Sequence, residues 1–198
     1  ESLVGFCRDM GGDFSRSVIN FKDGIKVAKS GNDIRAQAII YGGYGNLKRE
    51  LKQWKSAERM YRKSIESCDK LNLDYYKSES LMDYGKLLFM CGKKSDSLEK
   101  LEDAMEISIK IKRQDIWYLS AIVKSLIKVD ESTKDGIVLL KELLDSKDPQ
   151  ILSRVFYHLY KISGDEEYKK SALENINNAL KNMPDFRLSE FLEELQKN

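Results

Sequence analysis

The sequence predicts an all-α chain of paired helices, and three observations carry that expectation. First, the 198 residues contain only 2 Pro and 12 Gly while 33% are charged. That composition suits solvated helices and not the many Gly/Pro turns of an all-β fold. Second, small and bulky residues alternate along stripes of helical period. Third, the sequence repeats itself every forty residues, beginning with Gly5, Gly45 and Gly85.

The repeat is visible at several positions of each copy. Twelve residues after each glycine stands a small residue: Ser17, Ala57, Ser97. Four further on comes a bulky one, Phe21, Tyr61 or Leu101, then a small one, Gly24, Ser64 or Ala104. An apolar residue follows, Ile25, Ile65 or Met105, and Val4, Tyr44 and Tyr84 precede the glycines. Helix-pair packing explains the pattern. A glycine on the first helix admits the second one closely, the small residue fills the matching groove, and the bulky one inserts between neighbouring pairs.

Tyr41-x2-Tyr44-Gly45 followed by Trp54, Ala57, Tyr61 and Ser64 resembles the tetratricopeptide repeat signature. So do Gly5, Ser17, Phe21 and Gly24, and likewise Leu81-x2-Tyr84-Gly85, Ser97, Leu101 and Ala104. The period is forty here and usually 34; longer repeats of this type resemble the sensor arrays of large regulators. The resemblance implies an α-α superhelix, a solenoid of about five helix pairs with a C-terminal capping helix.

The expected copies follow in order. The first, 1–32, has its internal turn at Gly11-Gly12-Asp13. Between it and the second, 33–73, Gly31 reads as a stop and Asn32-Asp33 as a start. The third, 74–113, turns at Cys91-Gly92. The fourth, 114–147, has helices over Asp115–Val129 and Thr133–Asp145; Gly136 and Leu140 fit the pattern and Leu143 departs from it. The fifth, 148–183, opens on Asp148-Pro149, a cap residue and a first-turn proline. Its second helix, Asp165–Asn182, carries Ala172, Ile176 and Ala179 in register, with Pro184 beyond. A last amphipathic helix, about Asp185–Gln196, with Phe186, Leu188, Phe191, Leu192 and Leu195, caps the stack within 184–198. Eleven helices are expected in all. Glu1 aligns with Tyr41 and Leu81, which lie well inside their helices, so the chain reads as a piece of a longer protein.

Several functional classes are set aside. The longest apolar run, Ile137–Leu140, is about four residues, far short of a bilayer span, and Glu1–Gly12 lacks signal-peptide character. Cys7, Cys68 and Cys91 form an odd set without CxxC spacing, which reads as buried thiols in a reducing cytoplasm. The one histidine, His158, stands among Phe156, Tyr157, Leu159 and Tyr160 and reads as a packed residue. No metal site, cofactor loop or catalytic constellation is expected, so no enzyme is expected. Gly42 and Gly43 add to Gly45 inside a helix; close packing is the preferred reason.

The resemblance places the binding surface on the first helices of successive pairs, lining a concave groove. Its positions would be Ser2, Phe6, Asp9 and Met10, then Ile39, Gly42, Asn46, Arg49 and Glu50, then Glu79, Met82, Asp83, Lys86, Phe89 and Met90. The partner-binding set nominated from these is Phe6, Asn46, Arg49, Glu79, Met82, Lys86 and Phe89. The carboxylate clamp that some relatives use on chaperone tails is not expected, because Glu79 and Asp83 occupy matching positions and would repel a carboxylate. The expected function is a non-catalytic protein- or peptide-binding scaffold or sensor module of a larger intracellular, cytoplasmic protein. Two alternatives stand beside it. The net charge of +2 gives no global pull on nucleic acid, which is not the expected partner. The Lys48–Lys63 segment nevertheless gathers Lys48, Arg49, Lys52, Lys55, Arg59, Arg62 and Lys63 and could contact phosphates. The other alternative is a homodimer through an open apolar end at Leu3, Val4, Phe6 and Cys7.

Overall fold

Helix ends fix the layout of this chain, and they recur with the same forty-residue step as the side chains. The structure, a computed structural model, describes residues 14–182 and 184–197, without the side chains of Asn182 and Phe186. The expectations for Gly5, Phe6, Cys7, the Gly11-Gly12-Asp13 turn and the apolar end at Leu3 and Val4 lie outside the described residues. Among the described residues there are ten α-helices and no strand. They are α1 (Phe14–Ser30), α2 (Ile34–Glu50), α3 (Trp54–Leu71), α4 (Asp74–Met90) and α5 (Lys94–Lys110). Then come α6 (Gln114–Glu131), α7 (Thr133–Glu142), α8 (Pro149–Ser163), α9 (Glu166–Asn182) and α10 (Phe186–Lys197). A 3-10 turn over Leu143–Asp145 follows α7.

Left-handed residues end the helices. Between pairs they are Asn32, Asn72 and Lys112, with φ of 50°, 52° and 58°. Within pairs they are Lys52 and Gly92, with φ of 55° and 75°. At each, the amide of the next residue reaches back to a carbonyl five positions earlier: Asp33 to Ala28, Leu73 to Cys68 and Arg113 to Ser108 between pairs, Gln53 to Lys48 and Lys93 to Leu88 within them. This six-to-one closure satisfies carbonyls that the helix end would orphan. The stop before α2 is therefore Asn32 and not Gly31. Its start is as expected: the Asp33 carboxylate accepts the Ala36 amide at 2.8 Å. Asp148 likewise accepts the Gln150 amide at 2.8 Å, with Pro149 in the first turn of α8.

The chain divides into two compact units, one ending at Ser120 and the other starting at Ala121. In the first, consecutive helices α1 to α5 pack on one another, and α2 also lies against α4. The register residues form its core: Ser17, Phe21, Ala57, Tyr61, Ser64, Ser97, Leu101 and Ala104 are all buried. A Cβ on Gly45 would stand 2.6 Å from the Tyr61 ring, and one on Gly85 would stand 2.8 Å from Leu101. Each glycine thus accommodates the bulky residue of its own pair. The same bulky residues reach the next pair. Phe21 stacks on Tyr44 with centroids 5.3 Å apart, and Tyr61 on Tyr84 at 6.1 Å. Ser97 seals its groove by donating to the Gly85 carbonyl at 2.7 Å.

In the second unit α8 packs on α7, α9 and α10. Ala172, Ile176, Ala179, Leu188 and Leu195 form its core with Tyr157, as the fifth copy and the terminal helix predict. Gly136 admits Val129, which a Cβ there would meet at 2.3 Å. The fourth copy's second helix is shorter than expected. It closes at Glu142, and Leu143, the residue that departs from the pattern, opens the 3-10 turn. No helix among the described residues is long and apolar enough to cross a membrane.

Candidate functional site

The first helices of two successive pairs, α2 and α4, lie side by side in the first unit, and a buried polar ring joins them. Arg49 of α2 donates from Nη1 to Oδ1 of Asp83 on α4 at 2.9 Å and to the Tyr61 hydroxyl of α3 at 3.2 Å. That hydroxyl donates to Oδ1 of Asn46 at 2.6 Å. The Asn46 Nδ2 closes the ring on Oδ2 of Asp83 at 2.9 Å. Glu50 adds a carboxylate 3.6 Å from Arg49 Nη2. Burial alone would push the Asp83 carboxyl up. The charge and hydrogen bond of Arg49, with Lys86 and Asn46 behind them, outweigh it and hold the group below the usual carboxylate range. Burial also opposes the charge of Arg49, but Tyr61, Asp83 and Glu50 raise its pKa above the ordinary guanidinium value.

The nominated residues separate into three groups. Phe6 lies outside the described residues. Arg49 and Met82 are buried, Arg49 in the ring and Met82 in the core cluster of Leu81, Ala104 and Ile116. Arg49 is thus not presented to solvent as the sequence suggests; its charge is taken up by Asp83 and Glu50. Asn46 is half-buried in the same ring. Glu79, Lys86 and Phe89 are partly exposed along α4, with Met90 exposed at its end and Ile39 exposed on α2. Burial raises the Glu79 carboxyl, and the Asp83 charge one turn away adds to this.

Arg113, in the turn after α5, extends the face and was not found from sequence. Its guanidinium lies 4.2 Å over the Tyr75 ring, bonds to both carboxylate oxygens of Asp115, and stands 3.7 Å from Glu79. The Asp83 position was visible as groove-facing, but its pairing with Arg49 had no local signal, since 34 residues separate them.

Gly42 and Gly43 now have packing partners. A Cβ on Gly42 would stand 3.3 Å from the Ser80 hydroxyl and 3.4 Å from that of Ser64, and these hydroxyls bond to each other at 2.8 Å. A Cβ on Gly43 would stand 3.1 Å from Phe21. Both glycines therefore serve close approach.

The remaining sequence candidates are placed as follows. Cys68 is buried, and burial pushes its thiol up to about 11. Cys91 is exposed, which corrects the expectation of a buried thiol: it stands at the C-cap of α4, past the last buried turn of that helix. His158 packs edge-on against Tyr157 and Phe191, as expected of a packed residue. In the basic segment Lys48 bonds Gln53 and lies over Tyr44, Arg62 bonds Glu58 and lies over Tyr84, and Lys63 lies over Tyr41. Lys52, Lys55 and Arg59 are exposed.

The α2/α4 face is thus a charge-compensated platform, with Glu79, Lys86, Phe89 and Met90 along its accessible edge. It can hold backbone amides and mixed side chains by hydrogen bonding and contact. No protein-family model and no curated protein matches the sequence.

Proposed function

We propose that this chain is a non-catalytic, tetratricopeptide-like protein- or peptide-binding module, serving as the scaffold or sensor part of a larger intracellular protein. One observation carries the reading. The first helices of two successive pairs are locked side by side by the Asn46–Tyr61–Arg49–Asp83 ring, while Glu79, Lys86, Phe89 and Met90 remain accessible along the joined face. A ring whose members satisfy one another costs nothing further when a partner arrives, so the neighbouring side chains meet it in a fixed arrangement. Phe89 and Met90 supply apolar contact, and Lys86 and Glu79 supply orientation and register.

The test is selection of peptides from a random library on the purified chain, followed by affinity measurement with a Lys86→Glu/Phe89→Ala variant. The expected result is at least tenfold weaker binding with the helical circular dichroism retained. A control, Lys170→Glu on α9, should leave affinity unchanged. Equal affinity in the groove variant would remove the reading.

A further inference from the structure

Exposed charge changes sign along the first unit. The second helices of its pairs, α1, α3 and α5, share core clusters: Phe21 of α1 packs with Met60 of α3, and Ile65 of α3 with Ala104 and Ile107 of α5. All three helices bury the same register positions: Ser17, Ala57 and Ser97, then Ala28, Cys68 and Ser108. Their opposite positions therefore share one outer side of the unit. On α1 that side carries Arg16, Lys22, Lys26 and Lys29 against Asp23, all exposed. On α5 it carries Asp96, Glu99, Glu102 and Glu106 against Lys110, all exposed, and Lys110 is engaged by Asp74 at 2.7 Å. Between them α3 is more evenly charged. Arg62 pairs with Glu58 at 2.8 Å and Lys70 with Glu66 at 3.1 Å, with Lys55 and Arg59 exposed beside them. The net charge of +2 thus hides a cationic helix and an anionic helix on one side of the same unit. Large apolar residues stand among these charges: Ile19 and Val27 are exposed on α1, and Ile109 is exposed on α5.

We propose that a second copy of this chain docks on this side, the α1 cations of one copy meeting the α5 acids of the other. Charge complementarity carries the proposal, and the chain supplies both halves of it. Lys22 and Glu102 hold the same register position two repeats apart, and so do Lys26 and Glu106. A two-fold axis along these helices turns the cationic row of each copy toward the anionic row of the other. The distance from α1 to α5 is then matched by identity, because both copies contain it. Ile19, Val27 and Ile109 add apolar contact beside the charges. A nucleic-acid duplex or an anionic bilayer would also attract the α1 cations, but along the same side either would meet four exposed acids of α5, which repel it. Exposed ion pairs are individually weak, so the association is a weak one, steered by charge and sensitive to salt. This surface is separate from the α2/α4 face and does not depend on the peptide-binding reading of that face.

The experiment is sedimentation velocity of the full chain from about 10 to about 300 µM in about 50 mM salt. The expected result is a shift from monomer to dimer as concentration rises. The association should weaken at least about tenfold in 1 M salt, where charges are screened beyond about 3 Å. The variants Lys22→Glu/Lys26→Glu and Glu102→Lys/Glu106→Lys should each weaken it at least tenfold, with helical circular dichroism retained. All four substitutions in one chain exchange the two rows and should restore it. Where that chain does not fold, an equimolar mixture of the two double variants reads the same exchange. Lys170→Glu/Lys181→Glu, which alters the charge of α9 alone, should associate as the parent does. A chain that stays monomeric at 300 µM overturns the proposal, as does an unchanged association in either double variant. Failure of the exchanged charges to restore association overturns it too. So does a monomeric chain that binds a labelled 20-base-pair duplex or phosphatidylserine vesicles through the α1 lysines.

Discussion

Arg49 and Asp83 meet at 2.9 Å with both side chains nearly closed to solvent. Removing one charge there strands the other in a poorly solvated site. Arg49→Met should therefore cost about 3–5 kcal/mol, and the double variant Arg49→Met/Asp83→Leu should recover most of the loss. Urea unfolding of the two variants tests this; equal instability in both would mean that packing and not charge pairing dominates. Gly45 makes a second test at this scale. A methyl there gains helix propensity worth about 1 kcal/mol, but it would sit 2.6 Å from a fully buried tyrosine ring. The clash should win, with Gly45→Ala lowering stability by about 1–3 kcal/mol. The cysteines give a third test. In a Cys7→Ser background a thiol reagent should label exposed Cys91 in the native state and leave buried Cys68, whose thiol is pushed up to about 11, until the chain unfolds. Mass spectrometry of the labelled peptides reads the outcome. Gly45 and its partner Tyr61 were legible in the sequence because they recur at fixed spacing. The Arg49–Asp83 pair was not, because it arises from helix packing and leaves no periodic trace.

Helix starts with a side-chain cap were the easiest elements to read. Asp33 and Asp148 stand where the sequence predicts and accept the expected amides. Helix stops were harder. Gly31 drew attention as a helix breaker, yet the left-handed position falls on Asn32, and at the corresponding sites on Asn72 and Lys112. Lysine has no local preference for this conformation, so composition could not mark it; only the forty-residue step does. The left-handed conformation costs a non-glycine residue roughly 1–2 kcal/mol. Lys112→Gly should then raise stability by about 1 kcal/mol, after glycine's greater backbone entropy is set against the relief. A lower melting temperature in that variant would show that the lysine stem contributes packing at the turn. The terminal helix α10 is anchored by similar means. Asp185 accepts the Leu188 amide at 3.0 Å and pairs with buried Arg154 at 2.7 Å, and Phe191 stacks on Tyr157 with centroids 3.7 Å apart. Its apolar spacing was visible from sequence; the ion pair that seats it was not.

Across the whole molecule the forty-residue register specifies helix order and the buried stripe, and less about which surface side chains remain accessible. Of the nominated face, Glu79, Lys86 and Phe89 are accessible, while Arg49 and Met82 are taken into packing. The distinction depends on neighbours from other pairs, which a linear pattern does not contain. The charge network also sets a pH response. Asp83 and Asp185 are raised by burial but lowered further by Arg49 and Arg154, so both lie below the ordinary value. Glu58, hydrogen-bonded by Arg62, and Glu194, hydrogen-bonded by Lys161 and Tyr157, are lowered too. A carboxyl whose folded value is depressed stabilises the fold above its unfolded value, about 4, and loses that contribution as pH falls through the folded value. Glu79, raised by burial, has the opposite sign and gives up stability as pH rises through its folded value. Thermal melts should therefore fall steeply below about pH 4, and the fall should shrink in Arg49→Met/Asp83→Leu, which no longer contains the buried carboxylate. An unaltered acid slope in that variant would place the sensitivity at the other carboxyls.

If the α2/α4 face receives a peptide, the methyl groups on that face must report the contact. Methyl NMR with labelled Met and Ile, titrated with a peptide selected on the chain, tests it most directly. The methyl signals of Met90 and Ile39 should shift with saturation, while Ile109 on α5 and Ile176 in the second unit stay in place. Shifts concentrated at Ile109 or Ile176, with Met90 and Ile39 unmoved under saturating peptide, would contradict it.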